Sequence, residues 1–296
     1  MSILRTLIIL YLLLISGCSN LTSRYNPQGV RDAPHLSENL FVVIHKEYKS
    51  PPISRYRLNQ LLNMAMYYGP YYLYGIEPIR SINFTSELPP ATFPHWAHRI
   101  RYKCNVCHLE LGFSLFTGGT LITRADNLAG RYCGRCHNGE TSFTVKTTRE
   151  RTCERCHIRD IGLLKGDFDA LMAKMPRRKY GDTIDWNLAL TKGLIAPVDT
   201  IQGIEYPSLP LPERLKKPFA WYTRNRRVTV VFSHVKHVQW MDCAICHPEI
   251  FKIERAGTVE FDKQKMLYGM FCGRCHMHTA FPMNNCSRCH PGVLDR

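Results

Sequence analysis

"FPHWAHRIRYKCNVCH", residues 93–108, returns as "FSHVKHVQWMDCAICH" at residues 232–247. Phe93, His95, His98, Cys104, Cys107 and His108 reappear 139 positions later as Phe232, His234, His237, Cys243, Cys246 and His247. Chance does not place six matched positions at one offset. The chain holds one cysteine–histidine unit twice.

Each copy opens a longer series. Cys-x-x-Cys-His occurs six times: "CNVCH" 104–108, "CGRCH" 133–137, "CERCH" 153–157, "CAICH" 243–247, "CGRCH" 272–276 and "CSRCH" 286–290. These motifs use 12 of the 13 cysteines and Cys18 is the last, so none is left for a disulfide. Cys-x-x-Cys-His is the attachment unit of c-type haem. Two thiols three apart reach the two vinyl groups of one porphyrin, and the next histidine falls beneath its iron. The attachment pairs are Cys104 and Cys107, Cys133 and Cys136, Cys153 and Cys156, Cys243 and Cys246, Cys272 and Cys275, and Cys286 and Cys289. The proximal ligands are His108, His137, His157, His247, His276 and His290. Zinc sites and redox dithiols share parts of this pattern. Six copies behind an export signal do not fit them, and the expected cofactors are six covalently bound c-type haems.

Seven of the 13 histidines remain. His95 with His98, and His234 with His237, are spaced to lie near one face of a helical turn. Each turn can offer imidazoles to the distal faces of two neighbouring irons.

With these motifs the chain resembles the triheme c7-type cytochromes of the cytochrome c3 superfamily. Their unit is Phe-x-His-x-x-His followed by three Cys-x-x-Cys-His sites, matched at 93–157 and 232–290. The resemblance implies a fold of short α-helices and irregular loops wrapped around haems, with little β structure. It also implies that His95 serves the haem at Cys104/Cys107 and His98 that at Cys133/Cys136. Likewise His234 would serve Cys243/Cys246, and His237 would serve Cys272/Cys275. For the third haem, single-domain relatives use a histidine four residues before the second motif, where this chain has Ala129 and Tyr268. Multidomain relatives can use a methionine six residues before it. Met266 occupies that position and is the candidate distal ligand of the Cys286/Cys289 haem, against the alternative of a core methionine. The equivalent residue in the first unit is Asn127. The Cys153/Cys156 haem therefore has no assigned sixth ligand: His35, His45, His278, Met64 and Met66 are candidates, and an open iron is the alternative.

Arg5, the apolar run "TLIILYLLLI" and "ISGC" at 15–18 read as an export signal. The run is far shorter than the roughly 20 residues that span a bilayer. "ISGC" resembles a bacterial lipobox, which implies cleavage before Cys18 and a lipid on its thiol, and Ser19 favours the outer membrane. A formal charge of +15 usually points to nucleic acid, which an exported chain seldom meets. Two propionates on each of six haems would offset much of this excess, leaving some for docking acidic redox partners.

The expected organisation is a lipoprotein signal at 1–17, a tether and extension at 18–90, a first triheme unit at 91–160, an inter-unit packing segment at 161–227 and a second triheme unit at 228–296. The tyrosines of "YYGPYYLYG" read as core packing or as a cover for a haem or partner. In the inter-unit segment, helices are expected at 167–175 with Asp167 as cap and at 185–193 closed by Gly193, with a strand at 226–234. Phe168, Leu171, Ile184, Trp186 and Leu188 are its expected apolar anchors. Iron ligated on both sides changes only its oxidation state. The expectation is thus a membrane-anchored electron carrier, not an enzyme, passing electrons between periplasmic or outer-membrane partners. The alternative is a multihaem reductase acting at the Cys153/Cys156 haem.

Overall fold

Motifs spaced this closely leave little chain for long elements, and regular structure is short throughout. The computed structural model describes residues 70–79, 88–116, 119–146, 150–202, 210–222, 229–251, 263–267, 269–276, 278–283 and 285–291. The export signal, Cys18, the tether, His35, His45, Met64, Met66 and Tyr268 lie outside the described residues. All described residues fall in one unit, residues 33–296.

Two antiparallel ribbons deliver the two histidine pairs. In the first, β1 (Ile76–Ile79) pairs with β2 (Ala91–Pro94), Ile76 opposite Pro94 and Ile79 opposite Ala91. Strand β2 runs straight into the single turn α1 (His95–His98). In the second, β3 (Phe219–Tyr222) pairs with β4 (Thr229–Phe232), which runs into α7 (His234–Val238). The strand expected to reach 234 stops at Phe232, because the chain turns helical at His234. Between these, the described helices are α2 (Arg124–Leu128), α3 (Glu150–Cys153), α4 (Leu164–Met172), α5 (Trp186–Thr191) and α6 (Glu213–Lys216). After α7 come α8 (Cys243–Cys246), α9 (Lys263–Leu267) and α10 (Cys286–Cys289).

The inter-unit segment supplies the protein core. Phe168 on α4, Trp186 and Ala189 on α5, with Ile184 and Ile195, pack against Trp96 of the first unit and Trp240 of the second. Leu171 is partly buried against this cluster, but Leu188 is not an anchor: it is 38% exposed, on the solvent side of α5. Asp185 caps α5 by accepting from the Leu188 amide at 3.0 Å, and Gly193 closes it with φ +67°. Asp167 is not a cap. Asp160 caps a preceding 3-10 turn (Ile161–Leu163) that continues directly into α4, so the helix starts at Leu164 and Asp167 lies in its first turn.

Arg99 is partly buried at the junction of all three parts. Its guanidinium lies over both Trp186 and Trp240, 4.7 and 4.8 Å from their ring centroids, and donates to the Thr279 carbonyl at 2.7 Å. Such contacts strengthen when desolvated. The Cys104 amide donates to the Trp240 carbonyl at 3.1 Å, and the Trp240 indole to Asn187 at 2.6 Å. Of the extension's tyrosines, Tyr71 and Tyr72 pack on the core and Tyr74 donates its hydroxyl to the Ala280 carbonyl at 2.5 Å.

Candidate haem-binding centre

The Cys-x-x-Cys-His stretches fold as tight turns. The histidine amide donates to the carbonyl of the first cysteine at 2.9 Å in His137, 2.8 Å in His157, 2.9 Å in His247, 3.0 Å in His276 and 2.8 Å in His290. Each turn brings two thiols and an imidazole to one place. His108 differs, lying in a wider π-type turn (Val106–Glu110). None of the 12 motif cysteines is paired in a disulfide. Burial pushes Cys107, Cys272 and Cys275 up to about 12, and Cys133 and Cys246 up to about 11. These surroundings disfavour a thiolate and suit an uncharged thioether.

Most of the imidazoles are oriented through Nδ1. His108 donates to the Phe113 carbonyl at 2.9 Å, His157 to Pro89 at 2.6 Å, His247 to Phe251 at 2.6 Å, His276 to Phe281 at 2.9 Å and His290 to Thr229 at 3.0 Å. Of the expected distal group, His95 is held by the Gly75 carbonyl at 3.0 Å, His98 by Pro94 at 2.9 Å and His237 by Ser233 at 2.8 Å. A backbone acceptor at Nδ1 fixes the tautomer and leaves Nε2 for a metal. The His137 ring faces the Phe143 carbonyl, and His234 has no Nδ1 hydrogen bond among the described residues.

The histidines meet in pairs. His98 and His137 have ring centroids 6.3 Å apart, and His237 and His276 repeat this at 6.2 Å. Metal–imidazole bonds of about 2 Å, with about 1.1 Å more from each nitrogen to its ring centre, place trans imidazoles about 6.2 Å apart. The residues present therefore fit an iron between each pair. Phe93 stacks on His98 at 4.2 Å, as Phe232 does on His237 at 4.3 Å, and so holds the distal ring flat. His95 lies within electrostatic reach of His108, and His234 of His247. Burial lowers His95 and His276 to about 4 and lowers His98, His108 and His237 as well. Neutral imidazole is the ligating form.

Thiol proximity orders the motifs. Cys133 is within electrostatic reach of Cys156, and Cys107 of Cys133 and Cys136. Cys246 and Cys275 are each within reach of Cys104, and Cys272 of Cys289. The series runs through both units without a break.

The approach to the second motif in each unit is built identically. Helices α2 and α9 are followed by Gly130 and Gly269, both with φ +77°. Tyr132 and Phe271 come next at φ 46° and 50°, a left-handed conformation that costs a bulky residue energy and concentrates at functional sites. Gly134 and Gly273 then pass under the preceding helix so closely that a Cβ would stand 1.8 Å from the Asn127 and Met266 carbonyl oxygens. Thus "CGRCH" carries its glycine for backbone clearance, a signal visible in the sequence as the one Cys-Gly motif in each unit. Met266 is partly buried on α9. Asn127 occupies the same site on α2, and its Oδ1 is buried without a partner among the described residues. His278 is buried with Nδ1 2.8 Å from Glu77 Oε1, a pairing across 201 residues that spacing does not reveal. Gly75, the anchor of His95, likewise escaped sequence reasoning.

Residues 91–158 and 230–291 match the family model described as cytochrome c7 and related cytochrome c. A solved c7-type three-heme cytochrome domain is 32% identical over 28% of this chain and 91% of its own, with a TM-score of 0.24. The C-terminal hexaheme fragment of GSU1996 is 22% identical over 73% of this chain and 96% of its own, with a TM-score of 0.23. The dodecaheme cytochrome c GSU1996 is 23% identical over 73% of this chain and 48% of its own, with a TM-score of 0.24. No curated protein matches the chain. Short helices and loops carrying these motifs define a multihaem c-type cytochrome. Within that class, residues 91–158 and 230–291 are two triheme units of the cytochrome c7 type.

Proposed function

We propose that the protein is a lipid-anchored electron carrier that holds six haems and passes electrons between periplasmic or outer-membrane redox partners, other cytochromes among them. The observation that carries this reading is the pair of opposed imidazoles, His98 with His137 at 6.3 Å and His237 with His276 at 6.2 Å. Haem bound there supplies a one-electron iron couple. Imidazoles on both sides would keep the coordination unchanged between oxidation states and would deny the metal a substrate. His95 with His108 and His234 with His247 would do the same for the first haem of each unit, and the Met266 thioether would oppose His290 in the third haem of the second. Partial burial of the histidines would limit water at the irons, and the nearness of Cys104 to Cys246 and Cys275 would connect the two units. Cys18 would carry the lipid, with the outer membrane as its destination and no role for nucleic acid.

An equilibrium redox titration of the purified holoprotein tests this reading. Six electrons per chain, taken up and returned reversibly, with spectra low-spin at most of the irons, are expected. Several high-spin irons, or steady turnover of a small substrate at more than one of them, would contradict it. Replacing Cys18 by serine should release the protein from the membrane fraction.

A further inference from the structure

We infer that the Glu77 carboxylate, beside the first histidine pair, lowers the reduction potential of the Cys104/Cys107 haem below that of its counterpart at Cys243/Cys246, so that electrons cross the junction from the first unit to the second. This inference rests on the six-haem reading above and adds a direction to it.

The two histidine turns are built alike up to one position. Phe93 meets His95 edge-on at 4.9 Å, and Phe232 meets His234 in the same way at 4.9 Å. The residue paired with Phe93 across the first ribbon is Glu77, and the residue paired with Phe232 across the second is Phe219. Directly opposed residues share one face of a ribbon, so each stands beside the ring that backs the first histidine. Phe219 fills the place with a ring whose centroid is 5.3 Å from that of His234. Glu77 fills it with a carboxylate within electrostatic reach of both His95 and His108. Its side chain is 12% exposed, and Oε1 accepts from His278 Nδ1 at 2.8 Å, which fixes the carboxylate from the second unit. Glu77 lies outside residues 91–158 and 230–291, so this charge belongs to the chain's extension and not to the repeated unit.

A ferric haem carries one positive charge more than a ferrous one. A poorly solvated carboxylate near the axial imidazoles favours the ferric state, which lowers the potential. Arg99 acts in the opposite sense on His95, but more weakly than Glu77, and Asp182 faces Arg99 with the opposite charge. The contact between the units supplies the path. The Cys104 amide donates to the Trp240 carbonyl at 3.1 Å, the Asp242 amide to Asn105 Oδ1 at 2.7 Å, and Cys104 is within reach of Cys246. Thioethers would join these two cysteines to porphyrin edges, bringing the edges close. One electron, supplied by a one-electron protein donor, would leave the ferrous iron of the first site and reduce the ferric iron of the second. No ligand and no proton moves with it.

The test follows haem methyl resonances, assigned site by site, through a redox titration of the holoprotein at about pH 8, where an ordinary imidazole is neutral. Haem occupancy of every motif is first verified by peptide mass spectrometry. The Cys104/Cys107 haem is expected to be reduced at a lower potential than the Cys243/Cys246 haem. Glu77→Gln removes the charge and keeps the shape, so it should shift the first midpoint up and the second far less. Glu77→Asp keeps the charge and should hold the first midpoint low. A first midpoint at or above the second in the parent protein, no shift in Glu77→Gln, or an equal shift in Glu77→Asp would overturn the inference. A high-spin or missing haem at Cys104/Cys107 would instead overturn the reading beneath it, and the inference with it.

Discussion

His98 and His137 face each other with their ring centroids 6.3 Å apart, although 39 residues separate them in the chain. Phe93 stacks on one side of the pair and Phe143 lies 4.3 Å from the other. Two imidazoles left at that separation by packing alone would gain nothing from it. An iron held between them would explain the distance, and the same explanation would serve His237 and His276.

Replacing His98 by alanine should therefore leave the second haem attached through Cys133 and Cys136 but strip one axial ligand. Electron paramagnetic resonance is expected to show one additional high-spin iron per chain, and carbon monoxide uptake should rise by one equivalent. His237→Ala should do the same in the second unit. An unchanged low-spin spectrum would mean that another side chain binds the iron.

Met266→His should lower the reduction potential of the Cys286/Cys289 haem, since methionine ligation raises the potential relative to histidine. Potentiometry on the variant should show one centre moving down and the others holding. If no centre moves, Met266 is an ordinary packing residue.

Gly134→Ala and Gly273→Ala force a Cβ to within 1.8 Å of a carbonyl oxygen. Each should cost stability at the upper end of the ~1–3 kcal/mol typical of overpacking, seen as a lower denaturant midpoint of the low-spin absorbance. A Cβ added at Gly166 in α4 would meet nothing within 4 Å, and its φ is not positive. Gly166→Ala should raise stability by about 0.5–1 kcal/mol, which makes it the control.

Asp182 is buried beside Arg99, and burial, partly offset by that guanidinium and by the Trp186 indole, raises its carboxyl to about 6. In the unfolded chain the group titrates near 3.8. Between these values the folded protein binds more protons than the unfolded one, so Asp182's contribution falls as pH rises from about 4 to about 6 and then levels off. Asp182→Asn should flatten that part of the stability profile measured by denaturant titration.

The sequence was most legible where chemistry is covalent or metal-directed. Six attachment motifs, and histidines repeated at an offset of 139 positions, need fixed spacing, and spacing is what a sequence displays. It was less legible where one element meets another. Gly75 holds His95, Glu77 holds His278, and Trp186 and Trp240 enclose Arg99, all through contacts that only the folded chain creates. Asp167 looked like a cap because it precedes an apolar run, but the 3-10 turn capped by Asp160 had already started the helix. Leu188 fitted the apolar pattern, yet the Asp185 cap rotates α5 so that Trp186 and Ala189 face inward instead.

Intact-mass spectrometry of the mature protein, with thiol labelling, tests the central claim most directly. Six porphyrins per chain and no reactive thiol among the 12 motif cysteines are expected. Fewer porphyrins with labelled cysteines in any motif would contradict it.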